Sequence, residues 1–350
     1  MFKDAVAYRT EVEQQQVQGV NPTRTAVAAY LDAWAANKLA MGEVRQNTMD
    51  GYRGKLESAK MALGHIALVD LTASDVDAWM REMLSGQNTL SQKPLSPSSV
   101  KQARAILSGA LEDAVRKRIL PYNVVRSASV PKVHKRRKPA WTSAHVQAFL
   151  AELDKTPYGN FYRFIGLTGC RRSEAGGLLT SNVSFETRQV FIETTLMRVL
   201  GQGQSKWVLS EPKSETSRRT LPMSSPVEMV LRDQMRRNAE ARLKVGSAWV
   251  DTGGVFVEPT GEFMNLDTLS SKARNIRLEL GLPAASSIHG LRHHFARALN
   301  ASGSVDPQTL RTLMGHAMFS QTLDYIAPSD DLERDAMDVF GSLLDNRDVG

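Results

Sequence analysis

The chain has one cysteine, Cys170, in 350 residues. It can form neither an intramolecular disulfide nor a cysteine-based metal cluster. No apolar run approaches the ~18 residues that a membrane span needs. The opening stretch "MFKDAVAYRT" also lacks the pattern of a signal peptide. Carboxylates are plentiful, yet none cluster with the spacing that holds Mg²⁺ in a metal-dependent nuclease. Aromatics are scarce at 7%, and none of the seven tyrosines lies between Tyr162 and Tyr325. The expectation is a soluble, cytoplasmic, globular chain. Its 42% hydrophobic residues suffice for ordinary cores, and its length suggests two or three domains.

The net charge of +7 is uneven. Residues 1–130 carry +3, and the nine residues "PKVHKRRKP" (131–139) add +5 with no acid. Residues 140–325 carry +4, whereas 326–350 carry −5. A basic middle suits a polyanionic partner, because neutralising phosphates releases counterions. A solvated basic surface gives the same count.

The spacing predicts four helices between Thr23 and about Arg126. Val27, Tyr30, Leu31 and Trp34 recur at helical intervals, and "QNTMDGYRGKLESAKMAL" is a second amphipathic stretch. "TASDVDAWMREML" follows, with Thr72 or Ser74 as N-cap. The fourth, "SPSSVKQARAILSGALEDAVRKRIL", should run until Pro121 stops it. Its start offers Ser96, Ser98, Ser99, Lys101 and Arg104, the residue types that contact phosphates. The proline-bounded stretch around Lys135, Arg136, Arg137 and Lys138 should be extended, since like charges repel. A capped helix begins at Thr142, and helices meeting at a Thr-Gly turn lie in "YGNFYRFIGLTG" and "RRSEAGGLL". Residues 188–222 switch to a short-strand pattern, read as one small β-sheet, before helices resume near Val227. Asp306-Pro307 should start a helix that Gly315 closes, and Ser320 should cap another carrying Tyr325.

Four groups of residues carry chemistry. Arg171 sits just past a Thr-Gly turn at a helix start, where the macrodipole disfavours a cation, so an anion opposite it would explain its presence. Glu174 is placed to buttress it. His289 and Arg292, three apart, share a helix face. Lys213 lies at a turn between strands, followed by Arg218 and Arg219, which are candidate DNA contacts. His316 and Tyr325 come from two short helices joined by a break. This set is cationic or proton-handling with one nucleophile candidate, a composition suited to phosphoryl transfer that uses guanidinium groups in place of metal.

In order and spacing, G-x-R-x-x-E (Gly169, Arg171, Glu174), the turn Lys213, H-x-x-R (His289, Arg292) and "LMGH" followed nine residues later by Tyr325 resemble the tyrosine recombinases, the phage-integrase family. The resemblance implies a mainly α, two-domain architecture. It would comprise an N-terminal helix or coupler remnant (1–22), a helical core-site DNA-binding domain (23–130) and a basic linker (131–140). A mixed α/β catalytic domain (141–326) and an acidic tail for subunit exchange (327–350) would follow. It implies that Tyr325 forms a 3′-phosphotyrosine link, that Arg171 and Arg292 clamp the phosphate, and that Lys213 protonates the leaving 5′-oxygen. His289 would assist at the tyrosine, and His316 would bond the phosphate. No cofactor, metal or ATP is expected. The implied partners are double-stranded DNA with core-type sites, three further copies of the chain in a tetramer, and accessory bending or directionality factors in a prokaryotic cytoplasm. Two other readings remain: a type IB topoisomerase-like nicking-closing enzyme, and a catalytically silent DNA-binding protein.

Overall fold

A computed structural model of the chain describes residues 24–87, 89–132, 141–201, 204–212, 217–283 and 287–315. The expected N-terminal segment 1–22, the basic stretch from Lys135 to Lys138, the helix carrying Tyr325 and the acidic tail lie outside the described residues. The chain divides into two compact units, Met1–Arg136 and Arg137–Gly350. Among the described residues, no helix is long and apolar enough to cross a membrane.

The first unit is built from α1 (Val27–Ala40), α2 (Gln46–Leu63), α3 (Ala73–Ser85) and α4 (Pro97–Arg116). Val27, Tyr30, Leu31 and Trp34 of α1 are all buried, as their spacing requires. Alanines 103, 110 and 114 line the buried face of α4, and the Tyr30 hydroxyl donates to the Ala110 carbonyl at 2.8 Å. Thr72 and Asp75 form a reciprocal capping box at α3, and the Ser96 hydroxyl accepts from Ser99 N at α4.

Helix α4 stops at Arg116, five residues short of the expected barrier at Pro121. Arg118 takes a left-handed conformation, φ 57°, and the amides of Ile119 and Leu120 both turn back to the Ala114 carbonyl. The reversal buries Leu120, so apolar burial ends the helix before proline is reached.

In the second unit, α5 (Ser143–Asp154), α6 (Gly159–Thr168) and the one-turn α7 (Arg172–Gly176) precede the strands. Helices α8 (Ser225–Val245), α9 (Leu266–Glu279), α10 (Ser287–Ala301) and α11 (Pro307–Met314) follow them. The core centres on α6, whose Phe161, Tyr162, Phe164 and Ile165 are all at most 1% exposed. Phe161 meets Tyr162 and Phe256 edge-on at ring-centre separations of 5.3 and 5.7 Å. The Tyr162 hydroxyl donates to the Leu269 carbonyl at 2.8 Å, tying α6 to α9.

The single small sheet expected between 188 and 222 is two sheets. Strands β1 (Val183–Ser184), β2 (Gln189–Ile192) and β5 (Arg219–Pro222) form an antiparallel three-stranded sheet in the order β1-β2-β5, with Val190 opposite Leu221 and Ile192 opposite Arg219. Strands β3 (Thr195–Gly201) and β4 (Gln204–Ser210) form a separate hairpin. The break falls at Glu193-Thr194, where the Thr194 hydroxyl donates to the Gly177 carbonyl at 2.5 Å. A Cβ at Gly177 would sit 2.7 Å from the Thr195 backbone, so glycine is what lets the hairpin lie directly on the end of α7.

Candidate active site

Three helix ends in the second unit, the end of α6, the start of α7 and the end of α11, are joined by two arginines. Helix α6 ends at Gly169, φ 66°, and a Cβ there would penetrate the ring of Phe295 on α10. The chain then passes Cys170 and places Arg171 as the residue that caps α7. Helix α11 starts on Asp306, whose carboxylate accepts from the amides of Gln308 and Thr309, and ends at Gly315, φ 59°.

Arg171 and Glu174 are a pair, as their spacing predicts. The Arg171 guanidinium donates through Nη1 to Glu174 Oε1 at 2.6 Å and through Nη2 to the Gly315 carbonyl at 2.7 Å. The Arg171 amide donates to Glu174 Oε2 at 2.9 Å. Arg172, next along the chain, turns away to α9, donating to the Leu266 carbonyl, the Asp267 carboxylate and the Ser270 hydroxyl.

Arg292 is 2% exposed and donates to the carbonyls of Gly169 and Met314, each at 2.5 Å. Loss of solvent, and then the charge of Arg171, press its pKa down to about 10, so it remains a cation at neutral pH. His289 lies one helical turn before it, an exposed residue whose ring stands edge-on to His293 at 5.1 Å. Partial desolvation, and then the positive charges of Arg292, Arg171 and Arg172, lower its pKa below the ordinary value. The imidazole is therefore neutral near pH 7, with a lone pair able to accept a proton.

Arg219 occupies a position the sequence reading did not give it. Expected at the DNA, its side chain is 4% exposed and is paired with Glu174 Oε2 at 2.8 Å. Alternation along the strand was the available signal. Ser217 and Leu221 are buried while Arg218 and Thr220 are exposed, so the two-residue period turns Arg219 inward. Arg218 does face solvent, where it meets Glu211 at 3.3 Å.

Arg104 likewise braces its own unit, donating to the carbonyls of Val125 and Ala128 at 2.6 and 3.1 Å. Ser98 and Lys101 are exposed, while Ser96 and Ser99 are engaged in the cap of α4. Lys213, His316 and Tyr325, with Lys135, Arg136, Arg137 and Lys138, lie outside the described residues.

Glu174 is 1% exposed between two guanidinium groups. Burial alone would raise its pKa, but Arg219 and then Arg171 outweigh that and hold it at about 2, against an ordinary 4.5. A depressed carboxylate contributes stability that is present above pH 4.5 and lost as pH falls towards 2. The shift corresponds to about 3 kcal/mol. Glu174→Gln should therefore be less stable than the parent at pH 7, and the gap should shrink between pH 5 and pH 2.5. Urea midpoints across that range measure it, and a constant gap would contradict the linkage.

Residues 140–331, more than half of the sequence, match the model of the phage integrase family. The chain belongs to the phage integrase family. These are the tyrosine-type site-specific recombinases. A XerC-like tyrosine recombinase of Caldanaerobacter subterraneus is 29% identical over 44% of this chain and 41% of its own length. An integrase of Streptomyces ambofaciens is 26% identical over 85% of this chain and 75% of its own length. The chain thus spans less than half the length of the first of these relatives and three quarters of the second. Among solved structures, the Tn1549 transposon integrase in complex with a circular-intermediate DNA superposes with a TM-score of 0.74. It is 21% identical and covers 90% of this chain and 99% of its own. A lambda integrase tetramer bound to a Holliday junction superposes at 0.66, with 17% identity over 88% of this chain and 80% of its own. Both likenesses bear on the fold, which for this chain is mainly helical with small sheets.

Proposed function

We propose that the chain cleaves and rejoins DNA strands at specific sites through a 3′-phosphotyrosine intermediate on Tyr325. The observation that supports this most is the convergence of Arg171 and Arg292 on the end of α11, one residue before His316 and ten before Tyr325. Two guanidinium groups fixed by backbone carbonyls need no rearrangement to receive the charge that develops on a phosphorane. Preorganised donors of this kind stabilise a transition state far more than solvent does.

In this reading the Tyr325 oxygen attacks phosphorus and the bond to the 5′-oxygen breaks. Neutral His289 takes up the phenolic proton, and Lys213 delivers one to the departing 5′-oxygen. His316 donates to a non-bridging oxygen beside Arg171 and Arg292. The reverse attack by a 5′-hydroxyl restores the diester, so one bond is exchanged for an equivalent one and no ATP is required. Residues 23–130 would hold the core-type site, with exposed Ser98 and Lys101 at the start of α4 and Arg218 by the catalytic unit as contacts. The basic stretch from Lys135 to Lys138 would follow the phosphate backbone. Four copies would act on double-stranded DNA, each acidic tail (327–350) docking on a neighbour, with accessory bending or directionality factors setting the outcome.

The test is incubation with nicked duplexes carrying candidate core sites, followed by a denaturing gel. A protein–DNA adduct that protease digests to a short peptide remnant is the expected product. Specific binding to a core site without any adduct would instead favour the silent DNA-binding reading.

A further inference from the structure

Three successive carbonyls at the end of α11 are each held by an arginine from a different element. Arg219 Nε on β5 donates to Leu313 O at 2.8 Å, Arg292 on α10 to Met314 O at 2.5 Å, and Arg171 beside α7 to Gly315 O at 2.7 Å. The C-terminal end of a helix carries partial negative charge, so cations are favoured there. Arg171 and Arg292 already have a role at the phosphate in the proposed chemistry. Arg219 has none, and its geometry excludes one. Besides Leu313 O, its guanidinium donates to Ser217 O at 3.2 Å and Glu174 Oε2 at 2.8 Å, and it lies 3.8 Å from Cys170 Sγ. Four of the five N–H groups of an arginine are thereby accounted for.

The connections of Arg219 run to two sides of the site. Through Glu174 it shares one carboxylate with Arg171, and through Leu313 it grips the last turn before Gly315 and His316. Its own strand, β5, begins at residue 219, so the guanidinium also anchors the start of that strand to the end of α11. A Cβ at Gly315 would stand 2.8 Å from Arg219 Nη1, so the helix end is packed directly on the guanidinium.

Resting on the recombinase reading above, we infer that Arg219 is a positioning residue for strand cleavage: from inside the protein it locks Glu174, and through it Arg171, to the end of α11, without contacting DNA. A lysine cannot replace it fully, because a single ammonium does not span a carboxylate and two carbonyls at once.

The experiment is single-turnover cleavage of a nicked core-site duplex at saturating protein, with the half-saturating protein concentration measured in parallel. Arg219→Met should slow cleavage by about 10²-fold, the cost of a misplacement near 1 Å. Half-saturation should stay within about threefold and the salt dependence of binding should not change. A pH profile separates positioning from general damage. Glu174 is faced by Arg171 and Cys170 from the segment before α7, by Arg219 from β5 and by Arg292 from α10. Without Arg219, burial pushes the carboxyl upward against Arg171 and Arg292 alone. Arg219→Met should therefore lose further activity as pH falls from 8 to 5, and adding Glu174→Gln should remove that extra pH dependence.

A cleavage rate within about threefold of the parent would overturn the inference. So would weaker binding with a salt slope reduced by about one, the signature of a lost phosphate contact. Should Arg219→Met not fold, Arg219→Lys decides the matter: about tenfold slower cleavage at unchanged half-saturation is expected, and parental cleavage would refute it. Failure of the recombinase reading itself is distinguishable, because the unaltered protein would then give no adduct.

Discussion

Tyr325→Phe should abolish the covalent adduct, by on the order of 10⁴-fold or more, while binding of the core site stays within about twofold. The substitution removes one phenolic oxygen and no charge at neutral pH, so the electrostatic part of DNA affinity is untouched. It also leaves the arginine framework intact, because Arg219, Arg292 and Arg171 are tied to the carbonyls of residues 313–315, upstream of the tyrosine. A denaturing gel reads the adduct and a native gel reads the complex. Undiminished cleavage by the phenylalanine variant would remove Tyr325 from the mechanism and shift attention to another nucleophile. Among the seven tyrosines, Tyr162 is fully buried with its hydroxyl on the Leu269 carbonyl, and Tyr30 is buried with its hydroxyl on Ala110. Burial raises both of their pKa values, so neither is available as a phenolate.

Local chemistry was the legible part of this sequence. Thr142 and Asp306 cap the helices they were expected to cap, and of the two candidates Thr72 and Ser74 it is Thr72 that caps its helix, because an N-cap depends on a side chain within three residues of its own amides. The Arg171–Glu174 contact is of the same kind, as is the placement of His289 one turn before Arg292. Long-range partners were not legible. Nothing near residue 219 in the chain announces Glu174, 45 positions earlier, or the carbonyl of Leu313, 94 positions later. In a sequence, a charged residue in a basic stretch reads as surface, and only the strand period turns it inward. Arg104 misled for a related reason: its helix start is rich in phosphate-contact types, but its guanidinium reaches the carbonyls after α4. The early end of α4 and the division into two sheets follow from packing, namely the burial of Leu120 and the approach of Gly177 to Thr195. Pattern alone does not encode either.

Arg292 is the residue where stability and chemistry are hardest to separate, and two variants separate them. Arg292→Ala leaves the carbonyls of Gly169 and Met314 without their charged donor inside the protein. Orphaned buried acceptors of this kind cost about 2–4 kcal/mol together, a fall in Tm of roughly 5–15 °C for a domain of this size. The cleavage rate, measured well below the new Tm, should fall by about 10³-fold or more, since a transition-state guanidinium is worth at least that much in phosphoryl transfer. Arg292→Lys keeps the charge, and it should recover much of the lost stability by holding one of the two carbonyls. It should recover little of the rate, because an ammonium cannot meet Gly169, Met314 and a phosphate oxygen in one fixed plane. Core-site affinity should change by no more than about threefold in either variant, because this group acts mainly once charge has built on the phosphate. Equal recovery of rate and stability in the lysine variant would make Arg292 a strut whose contribution is positional, and would leave the clamping of the phosphate to Arg171.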